Sequence, residues 1–139
     1  MEYTRRNDTV ILRVDPGEEI LSQITEVAVK EKLMLAEING LGAVRDFTVG
    51  AFDTEKKEFY ANQFEGTFEI VSLTGTITEK DSKPYLHLHM SAANSQGNVF
   101  GGHLNKAVVS ATAEIVIRII EGHVGRKMNE EIGLNLFDF

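Results

Sequence analysis

No cysteine occurs anywhere in the 139 residues. That excludes disulfides, cysteine-ligated zinc and thiol catalysis, and leaves histidine, aspartate and glutamate as the strong metal ligands. Long apolar runs are missing too: nothing approaches the roughly 18 consecutive apolar residues of a membrane span. The opening "MEYTRRNDTV" has no signal-peptide core, so a cytoplasmic protein with no membrane partner is expected. Positive charge is scarce, with 14 Lys and Arg against 21 Asp and Glu for a formal charge of −7. Phosphate-backbone binding draws most of its free energy from Lys and Arg displacing counterions, so direct DNA binding is disfavoured. The tight basic pairs Arg5-Arg6, Lys56-Lys57 and Arg126-Lys127 read as solvated surface. Neither G-x-x-x-x-G-K nor G-x-G-x-x-G is present, and Ser72, Ser91 and Ser110 lie in no nucleophile-elbow context.

The length suits one hydrophobic core, and the apolar and charged fractions, 42% and 25%, are those of a soluble globular chain. One domain over residues 1–139 is expected. A short β-rich segment, "TVILRV", ends at Asp15-Pro16-Gly17-Glu18, which reads as a helix start with Asp15 as cap and Glu18 three residues on. Ile20, Leu21, Ile24, Val27 and Ala28 then recur at helical spacing, with Glu19, Gln23, Glu26 and Lys30 toward water and an end near Lys32. Beyond Leu33, short β-branched and aromatic runs alternate with turn signals, as in a meandering antiparallel sheet. Gly40-Leu41-Gly42 breaks the first run, and "DTEKKE" at 53–58 reads as a hairpin loop. "AVVSATAEIVIRII" at 107–120 favours a strand, with a helical start over Asn105 to Ser110 left open. The tail "LNLFDF" is apolar enough to dock on a neighbour. The class is therefore α+β: a mainly antiparallel sheet of about seven strands, one amphipathic N-terminal helix, and one or more short helices.

Histidine is rare and concentrated, with three of the four inside "HLHMSAANSQGNVFGGHL" at 87–104. His87 and His89 leave the same face of a strand. A hairpin centred near Gln96 pairs residues whose numbers sum to about 192, which sets His103 across from His89. Opposed residues have Cβ atoms roughly 4.5–5.5 Å apart, close enough for imidazoles to share an ion at about 2.0–2.1 Å. A bulge at Gly101-Gly102 would send His103 to the other face. Three neutral imidazoles with an open fourth position suit zinc best, with nickel, copper or iron as alternatives. His123 reads as a loop residue. Glu69, among Phe68, Ile70, Val71 and Leu73, is either outward-facing and solvated or a carboxylate held in a site, where it is the one candidate catalytic group.

"GLGAVRDFTVGAFD", "GTFEIVSLTGTI", "PYLHLHMSAANSQGNVFGGHL" and "ATAEIVIRI" resemble, in order and spacing, the motifs of the plants and prokaryotes conserved (PPC) domain, over about residues 5–139. The resemblance implies an antiparallel sheet with flanking helices, homotrimeric assembly, and a metal on His87, His89 and His103. In plants that domain follows AT-hook motifs in nuclear DNA-binding proteins, whereas this chain has no R-G-R-P hook and carries Thr67 where the plant motif has arginine. The stand-alone prokaryotic form is the nearer likeness. Three functions follow as expectations: a trimeric binding or assembly module with a protein or small-molecule partner; a metal-dependent enzyme on the three histidines; and a transcriptional regulator contacting DNA.

Overall fold

The computed structural model describes residues 1–139. The chain opens with a hairpin, β1 (Glu2–Arg6) and β2 (Thr9–Val14), turned by Asn7 and Asp8 with Asn7 at φ 54°. Asparagine tolerates the positive φ that two-residue hairpin turns require. Val10, Leu12 and Val14 are buried while Ile11 and Arg13 are exposed, the period-two alternation of a strand with one face on a core.

The helix, α1, spans Ile20–Lys30 and buries Ile20, Ile24, Val27 and Ala28 as its apolar stripe predicts. Its cap is Glu19, not Asp15. The Glu19 carboxylate accepts from the backbone N–H groups of Leu21 and Ser22, and also from Ala107 N at 3.1 Å. One carboxylate thus satisfies two orphan donors of the helix and one of a neighbouring strand, which local spacing does not reveal. Asp15 instead takes Arg13 and the N-terminal ammonium.

Four long strands follow: β3 (Ala36–Asp53), β4 (Glu58–Lys80), β5 (Lys83–Asn94) and β6 (Val99–Ile119). Gly40-Leu41-Gly42 does not end β3; the register shifts there and the strand runs on. At Gly42 an added Cβ would lie 2.3 Å from the Thr112 carbonyl oxygen, so glycine is what lets β3 approach β6. The segment Asn105 to Ser110 lies within β6, with Leu104, Ala107 and Val109 buried, so the open question of a helical start closes in favour of strand.

The large sheet runs β1-β2-β6-β3-β4-β5, and β5 also pairs with β6. That extra pairing closes β6, β3, β4 and β5 into a ring, all antiparallel. Inside it Phe47 stacks on Phe64 and meets Phe68 edge-on, both at 5.0 Å between ring centroids, and Phe100 stacks on Phe64 at 4.6 Å. These contacts tie β3, β4 and β6 together through fully or mostly buried rings. A separate hairpin, β7 (Gly125–Asn129) and β8 (Leu134–Asp138), ends the described chain and lies against β4. The architecture is mostly antiparallel β with one helix. It has eight strands instead of about seven, and no short helices accompany α1: the one segment left open for a helical start, Asn105 to Ser110, pairs into the sheet within β6.

Candidate metal centre

His87 and His89 project from β5, where they pair with Thr76 and Thr74 of β4. The turn at 95–98 is held by Asn94, whose side chain accepts from Gln96 N and Asn98 N. The chain returns with Ala93 opposite Val99 and His89 opposite His103, the register set by a turn centred near Gln96. No shift occurs at Gly101-Gly102 within that ladder. His103 also pairs with Gly50 of β3, so it stands where β6 passes from one neighbour to the other.

The three rings form a triangle, with centroid separations of 5.2 Å for His87–His89, 5.1 Å for His87–His103 and 5.6 Å for His89–His103. One ring nitrogen from each lies within 4.8 Å of the others. A tetrahedral ion bound at about 2.0–2.1 Å holds its nitrogens roughly 3.3–3.4 Å apart, a contraction that small imidazole rotations supply. Burial holds the His87 imidazole below its ordinary pKa, helped by His103, His89 and Arg126; burial and His89 do the same for His103. Both rings are therefore neutral at neutral pH, the form in which imidazole is a ligand. The donor set fits a borderline divalent ion with a position left open.

The triangle floors a cavity of about 500 Å³. Phe52, Phe59, Leu134 and Leu136 supply apolar wall, and Phe59 meets His103 edge-on at 5.9 Å. The tail segment thus docks as expected, pairing with β7 and walling this cavity. Gly50 and Gly102 lie beneath it with their backbones in close approach.

Arg126 belongs to this cavity, contrary to its reading as solvated surface; Lys127 beside it is exposed. The Arg126 guanidinium lies 4.3 Å from the Phe137 ring centroid and 5.1 Å from that of Tyr85. Its Nε donates to Thr78 Oγ1 at 2.9 Å and its Nη1 to the Asn135 carbonyl at 3.2 Å. Nothing in "GRK" signals this. Arg126 turns inward because β7 pairs it with Phe137 and packs it against β4, contacts distant in sequence. Glu69 is not brought to the histidines: it sits exposed on β4 opposite Ala93 and Ala43, and does not line the cavity. His123 is exposed outside any strand.

The family described as the Plants and Prokaryotes Conserved (PCC) domain matches residues 1–121. The chain belongs to that family. All three histidines fall within the matched residues, while Arg126 and the β8 wall fall outside them. Among solved structures, the chain is similar to a PPC protein of Pyrococcus horikoshii at 36% identity and a TM-score of 0.87, covering 99% of this chain and 94% of that one. A metal-containing protein of Archaeoglobus fulgidus matches at 34% identity and a TM-score of 0.87, over 99% and 96% of the two chains. A Bacteroides thetaiotaomicron protein provisionally named for DNA binding matches at 28% identity and a TM-score of 0.96, over 99% and 96%. Among curated sequences, the bifunctional protein GlmU of a Synechococcus strain is 26% identical over 108 residues; this PPC chain spans only 16% of that relative's length.

Proposed function

We propose that this PPC protein is a homotrimeric binding and assembly module, one folded unit over residues 1–139, built around a divalent metal held by His87, His89 and His103, with zinc the first choice. One observation carries the reading: β5 and β6 pair His89 with His103 in register, and His87 joins them with a ring nitrogen within 4.8 Å of the other two. The A. fulgidus relative, named as metal-containing, supports it. When bound, zinc would act as a Lewis acid toward whatever ligand enters the cavity. His87 and His103 keep their lone pairs available by staying neutral, and Phe52, Phe59, Leu134 and Leu136 give the site apolar walls.

Assembly draws support from the outer face of the sheet. Ile11 and Val116 are directly paired, and Leu41 lies nearby on β3; they are 49%, 46% and 57% exposed. Apolar groups exposed together in this way suit a subunit contact. Light scattering at micromolar concentration tests it, and a species of about 15.4 kDa would refute the trimer.

A metal-dependent enzyme is the second reading, favoured by the open-mouthed cavity beside the histidines. Glu69 lies outside it, so Tyr85, Arg126 and Asn135 are the polar side chains left to act there beside the histidines. Direct DNA contact is proposed last, since the charge of −7 opposes it and the half-buried Arg126 faces the cavity; a gel shift in low salt tests it. Metal analysis of untagged protein against a His87→Ala/His89→Ala double variant decides the central claim. Equal metal content in the two would overturn it.

A further inference from the structure

Arg126 is the half-buried cation of the chain that has no carboxylate partner. Arg5, Arg13, Lys56, Lys80 and Lys106 all meet Asp or Glu within 4.0 Å, whereas Arg126 meets hydroxyls, a carbonyl and two ring faces. Its other contact, from Nη2 to Thr76 Oγ1, is 3.5 Å long, so the Nη2 edge is held weakly and each terminal nitrogen keeps one N–H free for an incoming acceptor. A desolvated charge without a counter-ion is costly, and a guanidinium offers the paired donors that match a carboxylate. The chain has 21 Asp and Glu, yet none lines the cavity. A second polar group is also unmet nearby: Asn135 Oδ1 is buried with no hydrogen-bond partner, on a residue that borders the same cavity. An acceptor in that condition calls for a hydroxyl or amine.

From these observations we propose that the cavity binds a small organic acid. Its carboxylate sits between Arg126 and the histidine triangle, its hydroxyl or amine meets the Asn135 amide as that side chain turns toward the cavity, and its apolar body lies against Phe52, Phe59 and Leu136. The cavity's volume of about 500 Å³ is at the size typical of small-molecule sites. The inference rests on the metal reading above, because an ion on the three histidines supplies the second anchor for the acid. It goes beyond the family likeness, because Arg126 and Asn135 lie past the matched residues 1–121.

The test is calorimetric titration of the zinc-loaded full chain with three probes: 3-phenyllactate, 3-phenylpropionate and 3-phenylpropanol. Phenyllactate is expected to bind most tightly, phenylpropionate more weakly for want of the hydroxyl, and the uncharged alcohol least. Arg126→Gln should weaken both acids by about ten-fold or more without changing zinc content, and Arg126→Lys should recover part of the loss. Because Arg126 also ties β7 to β4, the ranking on the unaltered protein stands as an independent readout. An alcohol that binds as tightly as the acids, or zinc-loaded protein that binds neither acid, overturns the proposal alone. Unaltered protein that takes up no zinc overturns the metal reading and this inference with it, and the metal content tells the two failures apart.

Discussion

Gly102→Ala probes fold and site together. A Cβ on Gly102 would lie 2.4 Å from the Gly50 carbonyl oxygen, where ordinary contact starts near 3.4 Å, so β6 must withdraw from β3 by about 1 Å. No flexible side chain can absorb this, because the obstacle is backbone; Gly50 is hemmed in by its own approach, 2.2 Å for an added Cβ, to the Tyr60 carbonyl. Overpacking of this kind costs about 1–3 kcal/mol. For a chain of this length that lowers the melting temperature by roughly 4–12 °C. The displacement falls on His103, the next residue and the partner of Gly50 in the β3 ladder. Moving one of three ligands by about 1 Å opens a triangle that already needs contraction, so zinc affinity should fall by about 10–100-fold, the range seen when support for a metal ligand is lost. Thermal unfolding with and without EDTA, together with competitive zinc titration, reads both effects. A variant with unaltered melting temperature and unaltered zinc affinity would show that β3 and β6 do not meet at these glycines.

Phe47→Ala removes a fully buried ring that joins β3 to Phe64 and Phe68; it should cost about 3–5 kcal/mol in denaturant unfolding, and less than 1 would refute the ring core. Glu19→Ala removes the α1 cap and the tie to Ala107, so a loss of about 1–2 kcal/mol is expected in denaturant unfolding, whereas near-neutrality of Glu19→Ala would be the result had Asp15 been the cap. For pH, His87 and His103 titrate below the ordinary imidazole value of 6.5 in the folded protein. The unfolded chain therefore binds more protons just below that value, and EDTA-treated protein loses stability as pH falls through it toward the lower folded-state values. Asp15, Glu18 and Glu31, all held below their ordinary values, add their loss only in more acidic solution. A urea midpoint unchanged from pH 7 to about 5 would contradict the burial of the imidazoles.

Much of the site is legible in the sequence because it rests on local periodicity. Alternation along "YLHLHM" sets His87 and His89 on one face, and a symmetric turn at Gln96 brings His103 over His89; both depend only on strand pleat and hairpin geometry. The helix stripe is legible for the same reason. The outcome is different wherever a residue's partner is distant along the chain. Glu19 caps α1 partly because Ala107 needs an acceptor, and Gly40-Leu41-Gly42 bends a strand that a neighbour keeps whole. Glu69 faces outward because the bulged ladders on both sides of β4 set its direction.

The sequence by itself determined the strand-rich class, the amphipathic helix and the three histidines as a same-face set, since each follows from spacing within a few residues or one hairpin, and the resemblance of four motifs along the chain pointed to the family. Only the tertiary structure decided that β3 pairs with β6 to close the ring, that a C-terminal hairpin walls the cavity, and that Arg126 faces inward without a counter-ion. Those features are set by pairings between segments tens of residues apart, whose free energy comes from apolar burial and shared hydrogen bonds that no local pattern encodes.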